Sequence, residues 1–548
     1  MRWPIAAAAM LVAGLCSVLG YRPVIDIRPR LELPSSNIER ADYVGPEACA
    51  ECHPDKAASW RSSLHPRMNT VAGPATVVAP FAGETVEYGG GKAKFGRDGR
   101  SLVVELTSAA GVERRFEVTR TIGSAHIQEY VGRQVRGPEP RSAAIYRTEV
   151  RLPFGYWLRK RRWFHQQYYD SWFGPEYRGS SLAIDPYQPE LESWEPRCPW
   201  CHNTYAFDLR LVRSQQRDIG HGIEQYFALA GPEPAGAGHR QAARGQLPLD
   251  ELVTVGISCE SCHLGGRAHA EGEQPMSFGP RHPRLRPAAG RGPLPGQRAV
   301  KNALCAQCHS APSPRYPDGG ARRNSSEALD LAAGACGQAP ACIDCHDPHQ
   351  RGQPGDRERQ QAACVGCHRH LASEPARARH SRHRPGEATC LDCHMPRIVQ
   401  GFSKVIRTHR ISRAFEPAMV AAGQPNACNL CHLDRPVSWA AQAVELYWGK
   451  RVRAPVDPRP AGQVWLDSGD PHLLVTAADA YARSPLGPGA LSELIARLDQ
   501  PVAYYRMRML FAIEDVLGRE LPVGLYQPTA APAARRRQAA ALPTVLSR

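Results

Sequence analysis

Within 91 residues the chain repeats one pattern four times: Cys342-Ile-Asp-Cys345-His346, Cys364-Val-Gly-Cys367-His368, Cys390-Leu-Asp-Cys393-His394 and Cys428-Asn-Leu-Cys431-His432. Four earlier copies of Cys-x-x-Cys-His begin at Cys49, Cys198, Cys259 and Cys305. From the Cys and His content of the chain, chance predicts only about 0.02 copies of this pattern. The pattern is therefore the feature around which the chain must fold.

The spacing of the pattern indicates one chemistry. Two thiols three positions apart can each form a thioether to a vinyl group of the same haem, and the adjacent His can then bind the iron. A zinc ribbon, the first alternative, pairs two Cys-x-x-Cys units and needs no His after each one. A thioredoxin-like redox pair, the second alternative, is a single motif in a βαβ context. The sequence predicts eight covalently attached c-type haems.

Each motif contributes two thioether cysteines and one proximal iron ligand. The predicted thioether residues are Cys49, Cys52, Cys198, Cys201, Cys259, Cys262, Cys305, Cys308, Cys342, Cys345, Cys364, Cys367, Cys390, Cys393, Cys428 and Cys431. The predicted proximal ligands are His53, His202, His263, His309, His346, His368, His394 and His432. Cys16 and Cys336 lie outside the motifs. A buried thiol is the preferred interpretation of Cys336, and a redox role beside a haem is the alternative.

The chain has 21 His, so thirteen remain as candidates for the second, distal position on each iron. This supply suffices for eight irons with two His each, which favours low-spin, electron-transferring haems. The best-placed candidates are His65, His269, His349, His380, His383 and His409. Weaker candidates are His126, His165 and His282, together with His221, His239 and His370. His472 lies beyond the motifs and is expected to be structural.

The first 20 residues have the composition of a targeting segment. Arg2 precedes an apolar run from Ile5 to Leu19, which has the length of a signal-peptide core and is short for a membrane span. A cleaved signal peptide and an uncleaved anchor both remain open. Either one predicts export, to the periplasm or the cell surface, and haem c is attached outside the cytoplasm.

The predicted fold class is mainly α with extensive irregular structure, a small antiparallel β insert and a C-terminal helical, HEAT-like cap. Within 84–150, segments such as Ser101–Thr107 alternate in the manner of strands. Amphipathic patterns cover 438–448 and three later segments that end at Leu517. The predicted divisions are a signal peptide or anchor (1–20), a first haem-binding segment (44–70), a β-rich insert (71–150), an aromatic and basic connector (151–197), a seven-haem domain (198–435), the helical cap (436–526) and a flexible tail (527–548).

The charge balance is strongly basic. The chain has 68 Lys and Arg against 53 Asp and Glu, a formal net charge of +15, and 61 of the basic residues are Arg. Such an excess is typical of proteins that bind nucleic acid or anionic surfaces. Eight haems, however, bring about sixteen propionate charges. The predicted cofactors therefore account for the excess, and no nucleic-acid partner is expected.

Several motif segments resemble exported multihaem c-type cytochromes of the cytochrome c554 / octahaem class. The resemblance lies in 44–65, 256–269, 342–349 and 390–396, and 426–434 with the following helices resembles a HEAT-bearing branch of that class. It implies largely helical haem domains, stacked haem pairs and electron transfer. One position departs, because relatives often have Gly-Pro-Gly after the third motif, where this chain has Leu264-Gly265-Gly266.

Two functions fit these features. The preferred hypothesis is an electron carrier or conduit whose redox partner is a membrane quinol oxidase or dehydrogenase, or another cytochrome. The alternative is an octahaem oxidoreductase that acts on nitrite, hydroxylamine or tetrathionate, which requires one iron with an open distal face. No motif departs from Cys-x-x-Cys-His to mark a catalytic haem, so the sequence assigns no catalytic residue and leaves enzymatic activity open.

Overall fold

The computed structural model describes residues 35–88, 91–165, 194, 198–217, 222–232, 236–244, 247, 249–288, 296–337, 339–350 and 356–546. The predicted signal peptide or anchor, Cys16, His221 and most of the 151–197 connector lie outside these residues, as does the side chain of His165. Within the described ranges, no helix is long and apolar enough to cross a membrane.

An antiparallel sheet lies between residues 70 and 165. Its strands are β1 (Thr70–Val71), β2 (Glu84–Tyr88), β3 (Gly91–Asp98), β4 (Ser101–Thr107), β5 (Glu113–Ile122), β6 (Ile127–Arg136), β7 (Val150–Trp157) and β8 (Arg162–His165). Strands β2 to β8 pair in sequence order, and β1 pairs with β5. Short connections between consecutive strands produce this meander.

The sheet curls around a core of its own. The ring of Trp163 in β8 stacks on Phe95 in β3 with centroids 3.6 Å apart. Tyr88 in β2 lies 5.1 Å from Phe154 in β7. Strands from opposite ends of the sheet therefore share one aromatic interior, as sheet twist allows when a meander is long enough.

The prediction of a mainly α chain with a small β insert is wrong. The sheet has eight strands, and it continues past residue 150 into the segment predicted as a connector. All eight residues of β7 (Val150–Trp157) are buried. A strand that is covered on both faces shows no alternation of polar and apolar residues, so the periodicity of the sequence does not reveal it.

Helices and short two-stranded ribbons make up the rest. The helices are α1 (Pro46–Cys52), α2 (Pro54–Ser62), α3 (Pro199–His202), α4 (Phe207–Arg217), α5 (Ala237–Ala243), α6 (Glu260–His263), α7 (Arg267–Ala270), α8 (Gln297–Ala306), α9 (Glu327–Ala333), α10 (Cys342–Cys345), α11 (Asp356–Cys367), α12 (Glu374–Ser381), α13 (Cys390–His394), α14 (Pro417–Ala421), α15 (Val437–Trp448), α16 (Ala461–Asp467), α17 (Pro471–Ala482), α18 (Gly487–Ala496), α19 (Ala503–Leu517) and α20 (Pro532–Leu546). The ribbons pair β9 (Asn203–Tyr205) with β11 (Leu252–Val255), β10 (Phe227–Leu229) with β12 (Leu285–Pro287), and β13 (Arg397–Gln400) with β14 (Val405–Arg407).

The C-terminal helices share the largest apolar core of the described chain. The four segments with amphipathic patterns form α15, α17, α18 and α19, and α16 lies between the first two. The segment predicted as a flexible tail contains α20, whose Leu542 is buried in the same core. Because α20 is rich in Ala and Arg, its one buried Leu gives almost no amphipathic signal in the sequence.

Aromatic and ionic contacts join these helices to the sheet. Trp157 of β7 packs against Phe511 of α19 with ring centroids 4.5 Å apart. Lys160 and Arg162 both bind the buried carboxylate of Glu514, at 3.1 and 2.9 Å. The sheet and the C-terminal helices are thus in direct contact, and seven of the eight motifs lie between them in sequence.

Candidate haem-binding site

Each motif forms about one turn of helix. In six motifs the backbone N–H of the His donates to the carbonyl of the first Cys at 2.9–3.0 Å; these His are His53, His263, His309, His346, His368 and His432. Residues three and four positions apart in such a turn lie on the same face. The two thiols and the imidazole of a motif are therefore presented together on one side.

Five motif histidines face a second histidine at a narrow range of distances. The ring centroids are 6.3 Å apart for His53 and His269, 6.4 Å for His263 and His349, 6.1 Å for His346 and His409, 6.1 Å for His394 and His380, and 6.4 Å for His432 and His383. Two imidazoles on opposite sides of one metal ion, each bound at about 2 Å, have centroids roughly 6.3 Å apart. All five pairs have the spacing of two axial ligands on one iron.

In all five pairs, the second histidine lies outside the motif whose histidine it faces. His349 follows His346 by three residues but lies opposite His263, the His of the third motif. His269 follows the third motif and lies opposite His53 of the first. Each such pair draws two motifs together, which sequence distance alone does not specify.

A sixth candidate, His65, lies near the fourth motif. Burial is the main cause that lowers the pKa of His65, and the charge of His309 is the second. The Nδ1 atom of His65 lies 3.2 Å from the carbonyl oxygen of Pro348. Its Nε2 atom therefore remains available, which agrees with a role as distal ligand.

Hydrogen bonds at Nδ1 orient many of these rings. Nδ1 lies 2.7–3.3 Å from a backbone carbonyl or carboxylate oxygen in His202, His269, His309, His349, His383 and His394. A metal-bound His usually donates its second ring N–H in this way, which fixes the tautomer and directs Nε2 at the metal. These rings therefore have the environment of metal ligands.

Three other histidines use Nε2 for a protein contact. Nε2 of His239 lies 2.8 Å from Asp208, and Nε2 of His472 lies 3.1 Å from Arg323. His282 has both nitrogens engaged, Nε2 with Glu39 at 3.0 Å and Nδ1 with the backbone N–H of Arg284 at 3.1 Å. The structure therefore does not place His282, a weaker distal candidate, as a ligand.

The remaining weaker candidates are not placed opposite a motif His by the described contacts. His126 is exposed in the turn before β6, and His165 pairs with Phe154 through the β7–β8 register. His370 lies 6.0 Å from His368, with the rings nearly perpendicular. Only one residue separates His368 from His370, and so short a link cannot pass around a porphyrin to its opposite face.

Burial keeps several of these imidazoles neutral. Removal from water is the largest cause that lowers the pKa of His263, to about 4, with a smaller effect from the charge of His349. The same cause lowers the pKa of His202, His409 and His432. A neutral imidazole has the free lone pair that an iron ligand requires.

Cysteine side chains link neighbouring motifs. Four pairs of cysteine side chains, each from two different motifs, lie close enough to shift one another's pKa: Cys49 with Cys259, Cys201 with Cys308, Cys305 with Cys342, and Cys364 with Cys390. Cys262 and Cys305, Cys345 and Cys364, and Cys393 and Cys428 lie within electrostatic range of each other. No described cysteine forms a disulfide. All eight motifs are thus connected, with the second, third and fifth all meeting the fourth.

These clusters do not have the composition of a zinc site. In the described part of the chain, no three His, Cys, Asp or Glu side chains come together to hold a metal ion. Structural zinc has four protein ligands. Two facing imidazoles fit an iron whose other four ligands come from a porphyrin.

The stretch that carries the fifth to seventh motifs has almost no core of its own. Among the residues described between Cys342 and Met395, none is buried, although four helices lie there. Ile343 is 41% exposed. Isolated helices of this length are marginal in water. This exposure is what we expect of a stretch that packs on large apolar groups such as porphyrin rings.

Glu260, inside the third motif, organises the first and third motifs, and the sequence analysis missed it. Its buried carboxylate accepts the backbone N–H groups of Val44, Gly45 and Gly266 at 3.0, 2.8 and 2.9 Å. The signal available in the sequence is a Glu between the two cysteines, which is too common a feature to single out.

The turn after the third motif is strained at Leu264, the first residue of the Leu264-Gly265-Gly266 segment. Leu264 has a φ of 58°, in the left-handed region that favours Gly. Its side chain is buried with Ile38 and Phe207 in a small apolar cluster. Burial of the Leu side chain offsets the backbone strain, and the turn still delivers His269 opposite His53.

Comparisons with known proteins place few limits on this chain. No protein-family model matches it, and no curated protein matches it. A solved structure that does match is that of the outer cell wall cytochrome OcwA, with a TM-score of 0.41 and 13% identity, over 91% of this chain and 100% of that one. A likeness this weak transfers neither fold nor function, so the assignment below rests on the residues of this chain.

Three motif histidines, His202, His309 and His368, fall outside the five described pairs. No described histidine faces His202 or His368 at the spacing of the five pairs. The ring of His202 is half-buried and lies 5.6 Å from Trp194. The side chain of His368, by contrast, is exposed. The environments of the second and sixth motifs therefore differ from each other.

Proposed function

We propose that this protein is an exported octahaem c-type cytochrome that transfers electrons along a closely packed array of haems. The observation that carries the proposal is the set of five facing histidine pairs at 6.1–6.4 Å, each formed by a motif His and a His from another segment. This spacing is that of low-spin iron with both axial positions filled.

The protein residues have distinct tasks in this proposal. Haem iron, when bound, supplies one-electron chemistry between its ferric and ferrous states. The two cysteines of a motif hold the ring edge, and the paired imidazoles keep small molecules from the iron. Hydrogen bonds at Nδ1, such as that of His394 to the carbonyl of Ser412 at 2.8 Å, hold the imidazole plane and increase its basicity.

Contacts between motifs support a continuous path. Because the side chains of Cys364 and Cys390 are neighbours, haems attached through them at the sixth and seventh motifs would lie close together. The same argument applies to the first and third motifs, through Cys49 and Cys259. Through the links of the second, third and fifth motifs to the fourth, the array is branched and has ends at the first, second and eighth motifs.

The proposed location and partners follow from the sequence. An N-terminal segment with the composition of a signal peptide or anchor supports export to the periplasm or cell surface. The proposed partners are a membrane quinol oxidase or dehydrogenase, or another cytochrome.

Haem attachment can be tested by intact-mass analysis of the exported protein. Eight covalent haems are expected, and the double variant Cys305→Ser with Cys308→Ser is expected to lose one. An unchanged mass in that variant refutes attachment at the fourth motif. Haem-free exported protein that is nevertheless folded refutes the whole proposal.

A second candidate function is an octahaem oxidoreductase with one open iron, acting on nitrite, hydroxylamine or tetrathionate. The observation that favours it is the exposed His368, opposite which no described histidine lies. An iron bound there by His368 alone would leave its other face available to a small ligand.

The spin state distinguishes the two candidates. If electron transfer is the whole function, the EPR and resonance Raman spectra of the oxidised protein contain only low-spin haem. A high-spin signal that shifts with nitrite or hydroxylamine, and that is absent when Cys364→Ser with Cys367→Ser removes the haem of the sixth motif, assigns the open site to that motif.

A further inference from the structure

Helix α15 joins the last two motifs to an exposed surface. Near its start, the ring of Trp439 lies 4.8 Å from His432 of the eighth motif. At its end, the indole N–H of Trp448 donates to the backbone carbonyl of His380 at 3.1 Å. His380 faces His394 of the seventh motif, so a single helix touches the ligand sets of two irons.

The end of α15 carries an unusual group of apolar side chains. Leu446 is 75% exposed, Tyr447 48% and Trp448 41%. Single exposed apolar residues are common, but three in succession at a helix end form a contiguous patch. Tyr and Trp are the residue types most enriched among the energetically important contacts of protein interfaces. We call Leu446, Tyr447 and Trp448 the α15 patch.

Positive charge surrounds the α15 patch. The guanidinium of Arg382 lies over the ring of Tyr447, 5.7 Å from its centroid. Arg379, Lys450 and Arg453, close in sequence to His380 or Trp448, are also exposed. The acidic residue at the helix end, Glu445, is already paired with Arg451. The surface is therefore apolar at its centre and cationic at its rim.

We propose that the α15 patch and its cationic rim form the docking surface for an acidic electron-transfer protein, at the seventh and eighth motifs. The inference rests on the proposed electron-transfer function and adds the place and chemistry of the partner. Opposite charge at the rim steers the partner, and the aromatic centre excludes water from the contact. On docking, one electron would pass from the partner's redox group to a haem bound at this end of the array, for which His380 with His394, or His383 with His432, would supply the iron ligands. One centre is oxidised as the other is reduced.

The test uses the full-length oxidised holoprotein and reduced flavodoxin, an acidic flavoprotein that donates one electron. Stopped-flow spectroscopy measures the second-order rate constant for haem reduction at several ionic strengths. Lys450→Glu with Arg453→Glu is expected to lower the rate constant about tenfold or more at low salt and to remove its decrease with salt. Leu446→Ser with Tyr447→Ser, which leaves the Trp448 hydrogen bond in place, is expected to lower it at all salt concentrations.

A matched control reverses the same number of charges elsewhere. Arg97 and Arg100, exposed at the β3–β4 turn, become Glu, and the flavodoxin rate constant is expected to stay unchanged. Dithionite, a small reductant, is expected to reduce all variants alike. If dithionite reduces no haem in the wild type, the proposed function fails. If dithionite reduces every variant, and the flavodoxin rate constant of each variant equals that of the wild type, only the docking surface is refuted.

Two other occupants would also overturn the proposal. If Leu446→Ser with Tyr447→Ser converts a dimer into a monomer and leaves the flavodoxin rate unchanged, the patch binds a second copy of this chain. If Lys450→Glu with Arg453→Glu abolishes binding to phosphatidylglycerol vesicles and leaves that rate unchanged, the rim binds a membrane surface. Sedimentation and vesicle co-pelleting of the same variants distinguish these outcomes.

Discussion

The stretch from Cys342 to Met395 and helix α19 are ordered in different ways. None of the described residues in the first is buried, whereas all twelve residues from Ala503 to Glu514 in α19 are. Burial of apolar side chains is the main force that holds α19 in place. The motif stretch lacks that contribution from its own side chains. Its proposed haems must supply it, and polar contacts must fix the remaining geometry.

The largest predicted effect comes from removal of the haems. In protein made without haem attachment, we expect the 342–395 stretch to exchange its amide hydrogens like an unfolded chain, because its helices have no other surface to pack on. We expect α19 to stay protected, since its core includes the fully buried Met509 and Ile513. Hydrogen exchange with mass spectrometry compares the two regions in the same sample.

A core variant provides the reverse comparison. Met509→Ala is expected to cost about 2–5 kcal/mol of unfolding free energy, because it leaves a cavity. The number of attached haems should not change. Equal loss of protection in both regions on haem removal would contradict the distinction drawn between them.

The next largest effect is expected at Glu260, where buried hydrogen bonds rather than apolar packing hold two segments together. Glu260→Ala removes the acceptor of three backbone N–H groups in a buried site and should lower the unfolding free energy by about 3 kcal/mol. Glu260→Gln retains one carbonyl oxygen, so its unfolding free energy should lie between those of Glu260→Ala and the wild type. Urea titration of the holoprotein measures all three.

Glu271→Ala is the control for Glu260. Glu271 pairs with Arg267 at 3.6 Å, and its side chain is 53% exposed. Such a surface pair contributes about 0.5 kcal/mol or less. If Glu260→Ala proves as stable as Glu271→Ala, the three hydrogen bonds do not hold the first and third motifs together.

The smallest predicted effect is a pH dependence in the C-terminal helices. Burial, and then the charges of Arg323 and Arg322, hold the pKa of His472 well below its usual value. Below a pH of about 6.5 the unfolded chain binds a proton that the folded chain does not, so stability falls by about 1.4 kcal/mol per pH unit. Above that pH, His472 is neutral in both states and contributes no pH dependence.

His472→Gln tests this prediction, because it removes the titrating group and retains an acceptor for Arg323. Unfolding free energies of the wild type and the variant are compared at pH 7 and pH 5. The difference between the two pH values should be smaller in the variant by the contribution of one proton. An identical pH dependence would show that His472 is already protonated in the folded state.

Local sequence patterns were sufficient to predict the turns of the motifs and four of the C-terminal helices. Cys-x-x-Cys-His spans one helical turn, so its geometry depends only on neighbouring residues. The amphipathic segments that became α15, α17, α18 and α19 are also local features. The extent of the sheet was missed because β7 is buried on both faces and carries no alternation.

The sequence by itself predicts which side chains would hold haem: sixteen cysteines for attachment and eight histidines for iron ligation, at fixed spacing. It also placed His349 near a motif, but it did not specify that this ring faces His263, or that Cys49 meets Cys259. Those contacts join residues that lie 86 and 210 positions apart. The tertiary structure decided them, because the path of the chain and the buried carboxylate of Glu260 bring distant motifs together, and no local spacing encodes that path.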